Sequence, residues 1–286
     1  MEQKEKEIRE YFTSLLGKKI HSIYKKDNRV FGDVYFFNDA YVIKDYHKEE
    51  VPLLSLDRMK TVYEYLNEEK LTEKIIVIDE YHLRKVSKVV HGDVGFIDEP
   101  DISQVRYVAK NLKKLHKHVS EYDIPMDIVS NLYKFKETSK DRINKVLENR
   151  IVREVNEIKD KIPYGLCHNL LNKDNVIYKL DGALLINYEL SNINYTYFDL
   201  ASYIHENLKS KAVINEFLSH YFGATYNSLK LRRVEAFIPF VSLYYYYYYQ
   251  TIYEITKDDR YISLINKERN YLDTLLWKEQ YFILSH

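Results

Sequence analysis

HNLLNKDN, His168 to Asn175, decides how this chain is read. Side chains able to move a proton or hold a cation flank a pair of leucines, Leu170 and Leu171. The stretch sits inside GLCHNLLNKDNVIYKLDGALLINYEL, which reads as a loop, a short strand, an Asp181-Gly182 turn and a second strand. INYE (186–189) closes it, and FDLA (198–201) follows.

Upstream the period of the apolar residues changes twice. Ile8, Tyr11, Phe12, Leu15 and Leu16 share one helical face over 3–16, with Gly17 as the stop. KIHSIYKK, GDVYFFND and AYVIKDY then alternate as strands, with Asn38-Asp39 as a hairpin turn. Pro52 opens a helix through Leu53, Leu56, Met59, Val62, Tyr63 and Leu66. KIIVIDEY and KVSKVV complete a five-stranded antiparallel sheet with a helix inserted after its third strand. After a hinge at 88–92, helices are expected over 102–119 (Val105, Val108, Leu112, Leu115, Val119) and 127–149. From about Tyr197 the pattern is mostly helical. The expectation is an α+β protein: a β-rich lobe at 1–90 and a larger helical lobe at 91–286.

Composition sets limits. Apolar residues are 45% of 286, enough for a sizeable core. Basic and acidic residues balance at 43 each, so the whole chain carries no electrostatic signature for nucleic acid. A single Cys, Cys167, excludes an intrachain disulfide and fits a reducing compartment; it reads as core rather than redox-active. No apolar run reaches 18 residues, and the charged start lacks a leader's apolar core. The expectation is a cytoplasmic protein without a membrane span. No His, Cys and Glu have zinc spacing, and His116 and His118 read as helix-surface or capping residues. Trp277 and Phe282 read as packing residues.

The order of elements and the segment 166–206 resemble the protein-kinase-like fold, and within it the choline/ethanolamine kinase and aminoglycoside phosphotransferase group. That group's pattern is H-N-D-x-x-x-x-N, a hairpin, I-D-W-E, then W/F-D-L-A. Here it reads His168, Asn169, Leu170, then Asn175, INYE and FDLA. SNINYTYFDLASYIHE resembles a segment of bacterial choline kinases, and LKKLH (112–116) resembles the first large-lobe helix. The resemblance implies that Lys44 in YVIK holds ATP phosphates and that the backbone of Val89, Val90 and His91 receives adenine. It implies that Asp199 holds the catalytic loop in shape. Taken alone, Lys44 reads as an exposed edge lysine; within the pattern it reads as the kinase position.

The departures from the pattern carry the functional reading. Leu170 stands where the catalytic Asp accepts the proton of the attacking hydroxyl, a loss worth roughly 10²–10⁴ in rate. Asn187 stands where an Asp holds magnesium, leaving Asn175, Asn187 and Glu189 as a weak metal set. Asp174 is expected to point away. Together the two losses correspond to roughly 5–10 kcal/mol of barrier. YKKDNRVFGDVY retains only Gly32 of a phosphate-covering loop; Lys25, Lys26 and Arg29 read as a solvated hairpin tip or a weak anion site. Met59 stands where a helix Glu would pair Lys44; Asp57 and Glu64 face elsewhere.

For the acceptor, the resemblance implies a cage built from late-helix aromatics and acidic residues, with Tyr247 and Gln250 in VSLYYYYYYQTIYEI and Glu189 as substrate-side candidates. Six consecutive Tyr cover every helix face: Tyr244, Tyr247 and Tyr248 share one and Tyr245 and Tyr249 another. Packing with hydroxyls at the lobe surface, or an assembly surface, are the other readings. The leading expectation is a choline-kinase-like pseudokinase, inactive or severely impaired. It would bind a nucleotide such as ATP with magnesium doubtful, a small cationic metabolite or a protein partner. An active choline- or ethanolamine-type phosphotransferase with an atypical metal site is the runner-up. A homo-oligomer assembled through the Tyr-rich helix is the third.

Overall fold

The computed structural model describes residues 2–26, 31–50, 53–54, 56–94, 99–119 and 125–284, without the side chains of 2, 56, 57, 94 and 277–284. The readings placed on Arg29, Pro52 and the side chains of Asp57, Trp277 and Phe282 lie outside the described residues.

Helix α1 (Glu2–Leu16) precedes strands β1 (Ile23–Lys26), β2 (Asp33–Phe37) and β3 (Tyr41–Asp45). Helix α2 (Leu56–Glu68) comes next, then β4 (Ile75–Asp79) and β5 (Arg84–Lys88). The sheet is antiparallel in the order β1-β2-β3-β5-β4. Asn38 and Asp39 take φ of +55° and +50° between the hydrogen-bonded Phe37 and Ala40, the left-handed pair a type I′ turn requires. The first strand is shorter than expected because the Asn38 side chain binds the backbone of Lys19, His21 and Ser22 before pairing begins.

Strand alternation gives the sheet two faces. Tyr41, Ile43 and Val86 pack with Ile8 and Phe12 of α1; Leu15, expected on that face, is exposed. Val42, Lys44, Lys85 and Ser87 line a cavity on the other face. That second face meets the large lobe.

The large lobe begins with β6 (Asp93–Val94) and α3 (Ile102–Leu115). The predicted helix over 127–149 is two helices, α4 (Ile128–Thr138) and α5 (Lys145–Ile158). Ser139 caps the end of α4, and the Asn144 side chain accepts from Val146 and Leu147 N–H to start α5. Capping chemistry here outweighs apolar periodicity. Val119 lies beyond α3 and is exposed.

Strand β7 (Tyr164–Cys167), not anticipated from the sequence, pairs with β10 (Asn192–Tyr195). Strands β8 (Val176–Lys179) and β9 (Gly182–Leu185) form the expected hairpin, with Leu180-Asp181 at its tip because Gly182 already pairs with Lys179. Helices α6 (Thr196–Asn207), α7 (Lys211–Phe222), α8 (Ser228–Thr256) and α9 (Arg260–Leu284) complete the chain. No described helix is long and apolar enough to cross a membrane.

Helix α8 packs against α4, α5, α6 and α9, and from Phe240 to Ile252 it is buried on every side. All six Tyr of the run 244–249 are buried, none more than 7% exposed. The expected surface hydroxyls, and an assembly surface made from this run, are both overturned by that central position.

Candidate nucleotide cleft and catalytic loop

The catalytic loop hangs between β7 and β8. Asp199, at the start of α6 and fully buried, accepts from the backbone N–H groups of His168 (2.7 Å) and Asn169 (2.8 Å). His116, at the end of α3, bonds the same carboxylate at 3.1 Å and the Tyr221 hydroxyl at 2.7 Å. His116 is therefore a buried partner of the loop rather than a surface residue, although it does cap α3. His118 is exposed and stacks on Tyr65 at 3.7 Å between centroids. Tyr245 of α8 donates to the Asn169 carbonyl at 3.0 Å, and its hydroxyl lies 2.7 Å from that of Ser202. Asn169 adopts φ +65°, a left-handed conformation Asn tolerates better than most residues.

The His168 ring is wholly buried. Its Nε2 reaches the Ile186 carbonyl at 2.8 Å, and its Nδ1 accepts from Leu170 N–H, which assigns the neutral Nε2–H tautomer. Burial pushes its pKa below the ordinary value, against the pull of Asp199. Leu170 is 2% exposed and belongs to the large-lobe core; its side chain packs where a proton acceptor would stand. Its carbonyl accepts from Asn175 Nδ2 at 2.7 Å.

The oxygens grouped around Asn187 are already engaged. Asn175 Oδ1 accepts from Asn187 Nδ2 at 2.9 Å. Asn187 Oδ1 faces two ammonium groups, Lys44 Nζ and Lys85 Nζ, each at 3.5 Å. Glu189 Oε1 is taken by Lys44 (2.8 Å), Lys85 (3.4 Å) and the Tyr46 hydroxyl (2.8 Å). Magnesium requires hard, preferably anionic oxygens in an open octahedron. Amide oxygens directed at lysines, and a carboxylate closed by them, do not fit that ion. Glu189 is thus an ion-pair partner and not a metal ligand. Asp174, expected to point away, lines the cavity with Asn187.

Lys85 and Glu73 are the residues the sequence reading missed. Lys85 pairs with Lys44 across β3 and β5 in register, so both side chains leave the sheet on the same face. The period of two in RKVSK, with Val86 facing α1, is the signal that places Lys85 in the cleft. Lys85 also bonds Glu73 at 3.0 Å and the Tyr63 hydroxyl of α2 at 2.8 Å. Met59 packs in the core, and Glu64 is exposed; Glu189 takes the place of a helix Glu as the partner of Lys44. Lys44 is 3% exposed on an inner strand, which excludes the edge reading. Burial lowers the Lys44 pKa despite Glu189. Burial also opposes charge on Lys85, yet Glu189 and Glu73 outweigh it and raise its pKa well above the usual value. Burial likewise opposes charge on Glu189, and the two lysines hold it below the usual carboxylate range.

The cavity measures about 340 Å³ and is closed by Val89, Val90 and His91 on one side and by Lys26, Lys44 and Asn187 on the other. Lys25 turns out to pair Asp33 at 3.0 Å. Gly32 has φ +63°, and a Cβ there would fall 2.5 Å from the Asp45 carbonyl oxygen, so its role is close backbone packing.

A second cavity of about 270 Å³ lies beyond Glu189 and is walled by Met126, Phe135, Asn169, Tyr244 and Tyr248. Tyr248 is 3% exposed and its hydroxyl has no partner among the described residues. Tyr247 and Gln250, expected here, are elsewhere: Tyr247 bonds Glu148 at 2.7 Å, and Gln250 accepts from Asp141 N–H at 3.2 Å. The i,i+4 pair Tyr244 and Tyr248 faces the cavity, and Tyr247 is turned toward α5. His116, Cys167 and Asp199 offer ligand atoms within 4.8 Å of one another, a grouping invisible in their spacing. Cys167 stays a neutral thiol, its pKa raised by burial, so the trio serves the loop.

The architecture is that of the protein-kinase-like phosphotransferases of small molecules, the fold of choline/ethanolamine kinases and aminoglycoside phosphotransferases. The chain is similar to a choline kinase from Streptococcus pneumoniae (TM-score 0.76, 18% identity, 95% of this chain and 99% of that one). It is also similar to a choline/ethanolamine kinase family protein from Mesorhizobium loti (TM-score 0.77, 12% identity, 95% and 94%). An ADP-bound aminoglycoside phosphotransferase matches at TM-score 0.60, 17% identity and 93% and 96% coverage. At these identities the likeness establishes the fold. No protein-family model and no curated protein sequence matches.

Proposed function

We propose that this chain is a choline-kinase-like pseudokinase whose cleft takes a nucleotide on lysines and transfers no phosphate. The observation that carries the reading is the pair of ammonium groups at Asn187, 3.5 Å on either side of its oxygen, in place of a metal. Phosphoryl transfer rests on positioning and on neutralising charge at both the attacking and leaving oxygens. Lys44 and Lys85 neutralise charge on a bound polyphosphate. Leu170 offers nothing to orient or deprotonate an acceptor hydroxyl. The ADP-bound relative supports nucleotide as the ligand class, with ATP or ADP as the first to test.

The second cavity belongs to the same reading as a small-metabolite pocket. Phe135, Tyr244 and Tyr248 suit a small cation by cation–π attraction, but its one carboxylate, Glu189, is already balanced by two lysines. Affinity for such a cation rests on the rings. A partner-binding role in the cytoplasm, with the lobes divided at 90/91, completes the proposal.

A working phosphotransferase is the second reading, favoured by Asp174, a carboxylate that lines the nucleotide cavity. ATP turnover with choline and ethanolamine, in magnesium and in manganese, separates the two. The pseudokinase reading expects no ADP above the protein-free rate. Acceptor-dependent ADP release that disappears in Lys44→Ala sinks it.

A further inference from the structure

A third cavity lies behind the catalytic loop, on the large lobe and apart from both pockets above. It measures about 400 Å³ and is lined by Lys113, Lys117, Lys161, Lys230 and Arg233, with no acidic residue in its wall. These cations come from four places: α3, the turn after it, the helical turn 159–161 and the start of α8. Lys230 Nζ sits 4.7 Å over the Phe222 ring and 2.5 Å from Thr225 Oγ1. None of the five has a carboxylate within ion-pair distance among the described residues. In a chain with 43 basic and 43 acidic residues, such a concentration is a local construction and not a reflection of overall charge.

The end of α8 adds to it. The first turn of this 29-residue helix holds no acidic residue, although its N-terminal dipole favours negative charge there. Lys230 and Arg233 project from that first part of the helix into the cavity. The floor is His116 and Tyr221, the same hydrogen-bonded pair that touches Asp199 beneath the catalytic loop.

We propose that this basic cavity is a binding site for a soluble ligand carrying two or more linked phosphate groups. Five cations in one wall exceed the charge that a single phosphate dianion can balance, whereas a di- or triphosphate comes closer to matching it. Its volume of about 400 Å³ lies within the range of small-ligand sites.

Inorganic tripolyphosphate, titrated calorimetrically at physiological ionic strength, is the direct probe. Screening over about 8 Å removes diffuse attraction, so heat then reports contact. In Lys44→Ala, which weakens phosphate binding in the cleft between the lobes, one tripolyphosphate per chain should bind this site, with orthophosphate much weaker, and the charge reversals below are made in that background. ATP distinguishes a nucleotide from a bare phosphate chain: tighter binding here than tripolyphosphate identifies the nucleotide. Lys117→Glu and Arg233→Glu, both away from the core, should each weaken tripolyphosphate roughly tenfold. Lys145→Glu, a matched charge reversal outside the cavity, should not. Thermal melts of the variants check that each is folded. Absence of tripolyphosphate binding to the unaltered protein overturns the site. Binding that survives Lys117→Glu with Arg233→Glu, or that falls equally in Lys145→Glu, overturns it as well.

Discussion

At Asn187 one missing charge redirects a whole site. An Asp there would face two ammonium groups and a neighbouring amide; the Asn instead lets the lysines close on Glu189. Asn187→Asp should therefore be tolerated, and should weaken nucleotide binding by setting a carboxylate against the two lysines, read as a smaller thermal shift with ATP that is the same with magnesium and with a chelator. Leu170→Asp should behave differently, because the side chain is buried in the core: a charge there costs on the order of 3 kcal/mol or more in urea unfolding. His168 is a third test. Its buried ring has a lowered pKa, so the unfolded chain binds a proton more readily than the folded one. The sign follows: this group costs stability as pH falls below about 6.5 and nothing above it. Its ring NMR shifts should titrate below the ordinary imidazole range. Glu189, held low, contributes stability that is complete above the ordinary carboxylate pKa and is lost as pH falls from there toward its folded value, so the interval from pH 7 to 5 belongs to other groups.

Among the elements, α8 shows why hydroxyls matter more than rings. Tyr247→Phe removes a bond to buried Glu148 and leaves Ile143 N–H without its acceptor, which should cost roughly 1–3 kcal/mol. Tyr248→Phe removes a hydroxyl with no partner among the described residues and should change stability by less than about 0.5 kcal/mol. Equal losses in urea titrations of the two would contradict this division of the Tyr run. Strand β7 gives a steric counterpart: a Cβ on Gly165 would lie 2.1 Å from the His116 carbonyl, so Gly165→Ala must displace β7 from the end of α3. The sequence made the five-stranded sheet, the β8–β9 hairpin and the late helices readable, because period and turn chemistry are local signals. Strand β7, the break between α4 and α5, and the pairing of Lys85 with Glu73 depend on contacts distant in sequence, or on caps that an apolar periodicity hides. The HNLLNKDN loop was legible as a loop with a lost base. The lysines that replace the metal were not, since only the register of β3 against β5 sets them side by side.

Across the whole molecule, on the proposed reading, the structure-holding parts of the kinase-like architecture persist while the reactive ones do not. Asp199, Tyr245 and His116 still brace the loop, and Lys44 still faces the cleft. Against them stand Leu170 in the core and a cation-filled metal position. The measurement that tests this most directly is the melting temperature with saturating ATP, in magnesium and in excess chelator. Ligand that binds only the folded state raises it by mass action. The account predicts the same upward shift in both, with no ADP formed. A shift that requires magnesium, accompanied by ADP release, would contradict it.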